Sequence, residues 1–199
     1  EFNNQPHAII DIGGGSTEIV LGDSHEPRSL SSTKIGAVRL TSEFITTDPI
    51  SNIEYQYLQA YVRGMLERAA EDLHSHLQPG EIFRLVGTSG TIETVATIIA
   101  REKTGTVPSP LSGYEFSLRD LRQLVDRLRK LNYTERAAIP GMNDRRSEII
   151  LAGATILQEA MTLLEAETLV VCERSLRELI IIDWMLSHGL IEDRLRYQS

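Results

Sequence analysis

The stretch from Ala8 to Gly22 constrains the fold of this chain more than any other. It begins Ala8-Ile9-Ile10-Asp11-Ile12, runs through Gly13-Gly14-Gly15-Ser16-Thr17, and continues as the alternating Glu18-Ile19-Val20-Leu21-Gly22. An apolar run, a glycine cluster and an alternating run read as strand, tight turn and strand. Arg28 to Ile35 supplies a third strand, so three antiparallel strands are expected to open the fold, and Gly36 then precedes a short helix reaching Phe44. Ser51-Asn52-Ile53-Glu54 has the spacing of a capping box. The positions of Ile53, Leu58, Tyr61, Met65, Ala69, Leu73 and Leu77 predict one long helix, closed by Pro79-Gly80.

Ile82 to Val86 reads as a buried strand, Gly87-Thr88-Ser89-Gly90 as a second glycine turn, and Thr91 to Arg101 as a helix. Breakers at Gly105, Pro108, Pro110 and Gly113 make 103–114 a loop, the segment expected to be mobile. Ser117 to Leu131 is an amphipathic helix, Arg145 to Leu164 a helix buried on most sides, Thr168 to Cys172 a fifth strand, and Ser175 to about His188 a last helix. Strand-helix-strand passages imply parallel pairing joined by right-handed crossovers to the antiparallel opening. The expected architecture is a mixed α/β sheet of the ribonuclease-H-like kind.

Charge and composition narrow the function classes. Across 199 residues, 20 Lys+Arg against 28 Asp+Glu give a formal charge of -8, and the acidic excess sits mostly in the first hundred residues. That argues against a nucleic-acid partner, which would call for a basic face. No apolar run approaches the roughly 18 residues of a membrane span, so no membrane role is expected and the chain is read as cytoplasmic. The single cysteine, Cys172, lies in an apolar run and reads as a structural thiol. His74 and His76 do not share a helix face, so a metal site there is not expected.

Two features carry chemistry. Three consecutive glycines after a buried strand remove the side chains that would block a ligand and permit positive φ, so that successive N–H groups can converge on one anion; Ser16 and Thr17 add hydroxyls. Asp11 and Glu18 bracket the turn, and carboxylates beside a bound phosphate suit Mg²⁺ binding or the orientation of an attacking water. A plain hairpin turn is the competing reading. The second turn opens a helix, whose N-terminus favours anions, with Thr88, Ser89 and Thr91 as candidate donors or simply as caps. Neither turn matches G-x-x-x-x-G-K-[ST] or G-x-G-x-x-G.

Taken together, D-I-G-G-G-S-T-E (11–18), G-A-V-R-L-T (36–41), G-T-S-G-T-I (87–92), P-G (140–141), R-S-E-I-I-L-A-G (146–153) and S-L-R-E (175–178) resemble the exopolyphosphatase and guanosine pentaphosphate phosphohydrolase (Ppx/GppA) family. The resemblance implies an actin-like ATPase fold with helices on both faces of the sheet, in an enzyme of two lobes around a cleft. It further implies Mg²⁺-dependent release of terminal phosphate from inorganic polyphosphate or guanosine pentaphosphate. Residues 1–188 resemble the second lobe, with 189–199 as a tail. No D-x-G-[ST]-N-S-type loop of a first lobe is present, and the catalytic-base glutamate carried on that lobe has no counterpart. The chain alone is therefore expected to be inactive, its partners being the missing N-terminal lobe and, as a further candidate, a second copy.

By the same resemblance Asp11 and Glu18 position Mg²⁺ and the attacking water. Gly13, Gly14, Gly15, Ser16 and Thr17 form one phosphate loop, Gly87, Thr88, Ser89 and Gly90 the other, and Arg39 and Arg146 stand near the substrate path or, alternatively, in surface ion pairs. Leu179 departs from the family pattern, which has glycine there. A module that binds polyphosphate or guanosine alarmones without hydrolysing them is the alternative reading, and an ATP-using kinase lobe a third.

Overall fold

The computed structural model describes residues 5–23 and 26–174. The elements in chain order are β1 (His7–Ile12), β2 (Thr17–Gly22), β3 (Pro27–Thr33), α1 (Ala37–Phe44), α2 (Asn52–Ser75), β4 (Arg84–Thr88), α3 (Gly90–Thr104), β5 (Glu115–Ser117), α4 (Leu118–Leu128), α5 (Tyr133–Ala137), α6 (Ile150–Leu163) and β6 (Thr168–Val171). One six-stranded sheet runs in the order β3-β2-β1-β4-β6-β5. The first three strands are antiparallel neighbours, β4 joins β1 in parallel, β6 joins β4 in parallel, and β5 closes the edge antiparallel to β6.

Alternation decides which face each strand buries. Ala8, Ile10 and Ile12 of β1 and Ile19 and Leu21 of β2 are buried, whereas Ile9, Asp11, Glu18 and Val20 are only half-buried. The buried row joins α1, α2, α3, α4 and α6 in one continuous core. At its centre lies α6, in which every residue from Ile150 to Met161 is buried. Ala152, Gly153 and Ala154 keep that helix slim, so α1, α2, α3 and α4 can all pack on it.

The long helix starts where the capping box predicts. Ser51 Oγ accepts from Glu54 N–H, and Glu54 Oε2 accepts from Ser51 N–H at 2.9 Å. Glu54 also accepts from Thr46 N–H at 2.8 Å and Thr46 Oγ1 at 2.6 Å, and from the Thr47 hydroxyl, which ties the link between α1 and α2 to the helix start. These donors, the Thr46 hydroxyl foremost, hold the Glu54 carboxyl far below its ordinary value of 4.5. A depressed folded-state pKa means the stabilisation is complete above the unfolded value and fades as pH falls through the acid range. The melting temperatures of parent and Glu54→Gln proteins are therefore expected to differ at neutral pH and to converge as pH drops below 4.5; a constant gap in thermal melts across that range would count against it.

Four elements differ from the sequence expectation. The strand expected over 82–86 runs Arg84–Thr88, which leaves Ile82 outside it and exposed and places Gly87 and Thr88 in the strand. The sheet has six strands instead of five, because Glu115–Ser117 pairs with β6, Phe116 facing Leu169. Three residues are too few to show alternation. The breaker-rich loop before β5 is tied to the end of β6: Gly113 N–H donates to Val171 O at 2.9 Å, and Ser112 and Glu173 exchange two hydrogen bonds. Finally, α6 begins at Ile150 and not at Arg145, and a short α5 precedes it, capped by Asn132, which accepts from Glu135 N–H at 3.0 Å. The buried Arg136 holds the intervening turn by donating to Ser147 O and Leu131 O and pairing with Asp48 at 2.9 Å. The predicted helix from Ser175, the S-L-R-E stretch, Leu179 and the tail lie outside the described residues.

Candidate active site

Sheet register brings the sequence-predicted acids together. Asp11 on β1 stands directly opposite Glu18 on β2, Glu18 opposite Ser32 on β3, and Asp11 opposite Thr88 on β4. Ser32, Glu18, Asp11 and Thr88 thus form one row across four strands, at the end where both glycine turns leave the sheet. Directly opposed residues have Cβ atoms about 4.5 to 5.5 Å apart, and like charges in such a pair repel. Ser32 Oγ donates to Glu18 Oε1 at 2.8 Å and fixes that carboxylate. Ser32 escaped sequence reading because the outward row of β3 is visible in the pattern, but its partner strand and register are not.

The first turn is built against a helix start. Gly13 N–H donates to Ser16 O at 2.9 Å, closing the turn. Ala37 N–H donates to Gly13 O, and Val38 and Arg39 N–H donate to Gly14 O, each at 3.0 Å. The donors that a helix N-terminus usually leaves unpaired are thereby used to hold the turn's carbonyls down on α1. Gly14 and Gly15 are exposed, and their N–H groups enter no backbone hydrogen bond among the described residues, so they remain available to an anion. None of the three glycines has positive φ. The conformational freedom expected from the sequence is not what the turn uses; it uses space. A Cβ on Gly36 would lie 2.4 Å from Gly14 C and O and from Gly15 N.

Three predicted hydroxyls point elsewhere. Thr17 is fully buried, its Oγ1 donating to Ile35 O at 2.8 Å, so it braces the turn from beneath and cannot contact a phosphate. Thr88 Oγ1 donates to Arg174 O at 2.8 Å, which commits its proton to the end of the β6 exit. Thr91 is likewise buried and faces α6, away from any ligand.

The second turn brings Ser89 into an unusual conformation, φ 128° and ψ 157°, as the N-cap of α3. That region is essentially restricted to glycine and costs on the order of 1 to 3 kcal/mol for another residue, a strain that clusters at functional sites. Ser89 Oγ accepts from Ile92 N–H at 3.4 Å. Replacing Ser89 with glycine trades the strain for a cap weaker by only a few tenths of a kcal/mol, so Ser89→Gly is expected to raise the melting temperature while weakening pyrophosphate binding in calorimetry. A lower melting temperature would show that the backbone is not strained.

Arg146 completes this turn. Its guanidinium covers Gly90, where an added Cβ would lie 2.2 Å from a terminal nitrogen. A cation and a helix N-terminus therefore meet at one place. Arg39 is less committed to the site: its side chain pairs with Glu43 along α1 at 2.9 Å, both residues being exposed. Among the described residues no group of three or more His, Cys, Asp or Glu could hold a metal. Asp11 and Glu18, opposed across β1 and β2, are two carboxylates, a number that fits Mg²⁺, which commonly takes one or two carboxylates plus waters and substrate phosphates. A cavity of about 640 Å³ opens at the opposite end of the sheet, lined by Leu77, Phe83, Leu85, Glu115 and Glu167.

Residues 1–188 match the Ppx/GppA phosphatase family. The chain belongs to that family. It is 31% identical over 176 residues to exopolyphosphatase 1 of Mycobacterium leprae, covering 87% of this chain and 50% of that protein. It is 34% identical over 155 residues to exopolyphosphatase 2 of Mycobacterium tuberculosis, covering 77% and 46%. Among solved structures, the Ppx/GppA phosphatase of Aquifex aeolicus superposes with a TM-score of 0.78 at 27% identity, over 92% of this chain and 58% of that one. An exopolyphosphatase from Cytophaga hutchinsonii gives a TM-score of 0.80 at 24% identity, over 94% and 59%. The fold is the actin-like ATPase fold of these phosphatases, and the chain spans about half the length of the curated relatives it matches. No described helix is long and apolar enough to cross a membrane.

Proposed function

We propose that this chain is the second lobe of a phosphoanhydride hydrolase that releases terminal phosphate from inorganic polyphosphate, with guanosine pentaphosphate as the second candidate substrate. The observation that carries the reading is the row Ser32, Glu18, Asp11 and Thr88 at the foot of two adjacent glycine turns. Membership of the family and relatives named exopolyphosphatase support the chemistry.

In such a transfer the protein mainly positions groups and neutralises charge. The free amides of Gly14 and Gly15, with Ser16, grip oxygens of the terminal phosphate; the α3 N-terminus and the Arg146 guanidinium hold the next phosphate along. Each charge-assisted hydrogen bond contributes about 1.5 to 3 kcal/mol, so three or four outweigh the screened repulsion of a net-acidic chain. Mg²⁺ held by Asp11 and Glu18 would offset their mutual repulsion and the charge of the phosphate. Glu18, fixed by Ser32, orients a water toward the phosphorus, and proton removal falls to a base on the preceding lobe.

The test uses the full-length protein. Phosphate release from polyphosphate and from guanosine pentaphosphate is measured with Mg²⁺ and again after chelation. The reading predicts release that depends on the metal and on both lobes. Tight polyphosphate binding with no release under any divalent metal would replace it with a non-hydrolysing sensor.

A further inference from the structure

A single glycine in the core touches both helix starts that carry the turns. A Cβ on Gly153 of α6 would lie 2.5 Å from Thr91 Cγ2, 3.2 Å from Thr91 Oγ1 and 3.3 Å from Ala37 Cβ. Ala37 is the first residue of α1, the helix whose N–H groups hold the first turn through Gly13 O and Gly14 O. Thr91 is the second residue of α3 and follows Gly90 of the second turn. Position 153 has no side chain of its own, and an added Cβ would crowd both neighbours. Thr91 is fully buried, and its hydroxyl has no hydrogen-bond partner among the described residues. A buried hydroxyl without a partner is costly, and an apolar residue of the same shape would serve the core at least as well. Its methyl and hydroxyl both bear on Gly153.

The strands alone do not fix that distance. Register aligns Asp11 with Thr88, where β1 and β4 end, but beyond those residues each chain leaves the sheet in its own turn. α6 spans the gap: Gly153 seats the two helix starts, and Arg146, just before the helix, reaches Gly90. Ile150 N–H donates to Arg146 O at 2.8 Å and Gly153 N–H to Ile149 O at 3.1 Å, so these contacts are linked through one helical turn after another.

We infer that Gly153 is a positioning residue which, through Thr91 and Ala37, sets the separation of the two phosphate turns. The inference builds on the phosphate-binding role proposed above. A polyanion that bridges both turns is held correctly at one spacing, and a displacement near 1 Å can cost on the order of 100-fold in rate. A substitution that enlarges residue 153 should spread the turns, lowering kcat with less change in KM. Removing the Thr91 methyl and hydroxyl should make room and restore the spacing.

The experiment compares the full-length parent with Gly153→Ala, Thr91→Ala and the double variant. Phosphate release from polyphosphate is expected to show kcat for Gly153→Ala reduced by about 10-fold or more, KM changed far less, and kcat recovered in the double variant toward that of Thr91→Ala. If Gly153→Ala fails to fold, recovery of folding and turnover in the double variant decides in favour of the inference, and no recovery decides against it. Unchanged kcat in Gly153→Ala would overturn it. If the parent itself releases no phosphate, the proposed function fails, and the spacing is read from crystal structures: a Gly14 to Gly90 separation that is the same in parent and Gly153→Ala overturns the inference, and a widened one restored in the double variant upholds it.

Discussion

Glu18→Gln and Asp11→Asn, each in the full-length protein, are expected to lower kcat for phosphate release by about 100- to 10,000-fold. Glu18→Gln, which keeps the oxygen that accepts from Ser32, should melt at an equal or higher temperature than the parent. The two effects have one cause. Asp11 and Glu18 stand directly opposite each other on neighbouring strands, and a like-charged cross-strand pair destabilises a sheet by roughly 0.2 to 1 kcal/mol. Neutralising Glu18 relieves that repulsion, and either change removes a group proposed to orient water or hold the cation. Ser32→Ala, which frees Glu18 Oε1 from its donor, should lower kcat by a smaller factor. A variant that lost stability along with activity would mark the acids as structural, and unchanged turnover would remove them from the mechanism. Steady-state kinetics paired with thermal melts separates these outcomes.

The second large effect is steric. Gly36 has φ -153°, an extended conformation open to any residue, so Gly36→Ala carries no backbone strain. Its Cβ would nonetheless lie 2.4 Å from three backbone atoms of the first turn. Backbone cannot rotate aside as a side chain can; the turn must lift off α1 and give up the bonds from Ala37, Val38 and Arg39. Overpacking typically costs about 1 to 3 kcal/mol, and this contact lies at the upper end or beyond. Gly14→Ala meets Val38 Cγ2 at 3.2 Å, a side-chain atom able to shift, and Gly15→Ala meets nothing within 4 Å. The expected order of destabilisation in thermal melts is therefore Gly36, then Gly14, then Gly15. Gly15→Ala should still weaken pyrophosphate binding, because its methyl would occupy the open space beside the amide proposed to hold the anion. Equal losses at all three positions would show that the turn is a plain hairpin connection with no defined seat.

Elements with strong local signals were legible in the sequence. The β1–turn–β2 unit, the capping box at Ser51 and the apolar helix around Gly153 all match the structure, because alternation, caps and helical spacing are read from neighbouring residues. Of the second turn expected at 87–90, Gly87 and Thr88 instead end β4 and Gly90 opens α3, leaving Ser89 between them. What the sequence hid depends on long-range pairing. β5 is defined by β6, more than fifty residues away in sequence. α5 is different, since Asn132 three residues before Glu135 is a local cap signal. Hydroxyl directions at Thr17, Thr88 and Thr91 were illegible for a different reason: each follows from strand or helix phase in the folded core, while their proximity to glycine alone suggested a ligand. The basic residues along and beside α4 likewise find partners that sequence spacing does not show: Arg127 pairs with Glu102, Arg129 lies over the Tyr55 ring and pairs with Asp126, and Lys103 pairs with Asp120.

The most direct measurement is the crystal structure of the full-length protein with Mg²⁺ and pyrophosphate. One phosphate is predicted to accept hydrogen bonds from the N–H groups of Gly14 and Gly15, the other to lie at the start of α3 against Arg146, with Asp11 and Glu18 facing the bound ion. Pyrophosphate bound away from both turns, with those amides left to solvent, would contradict the account.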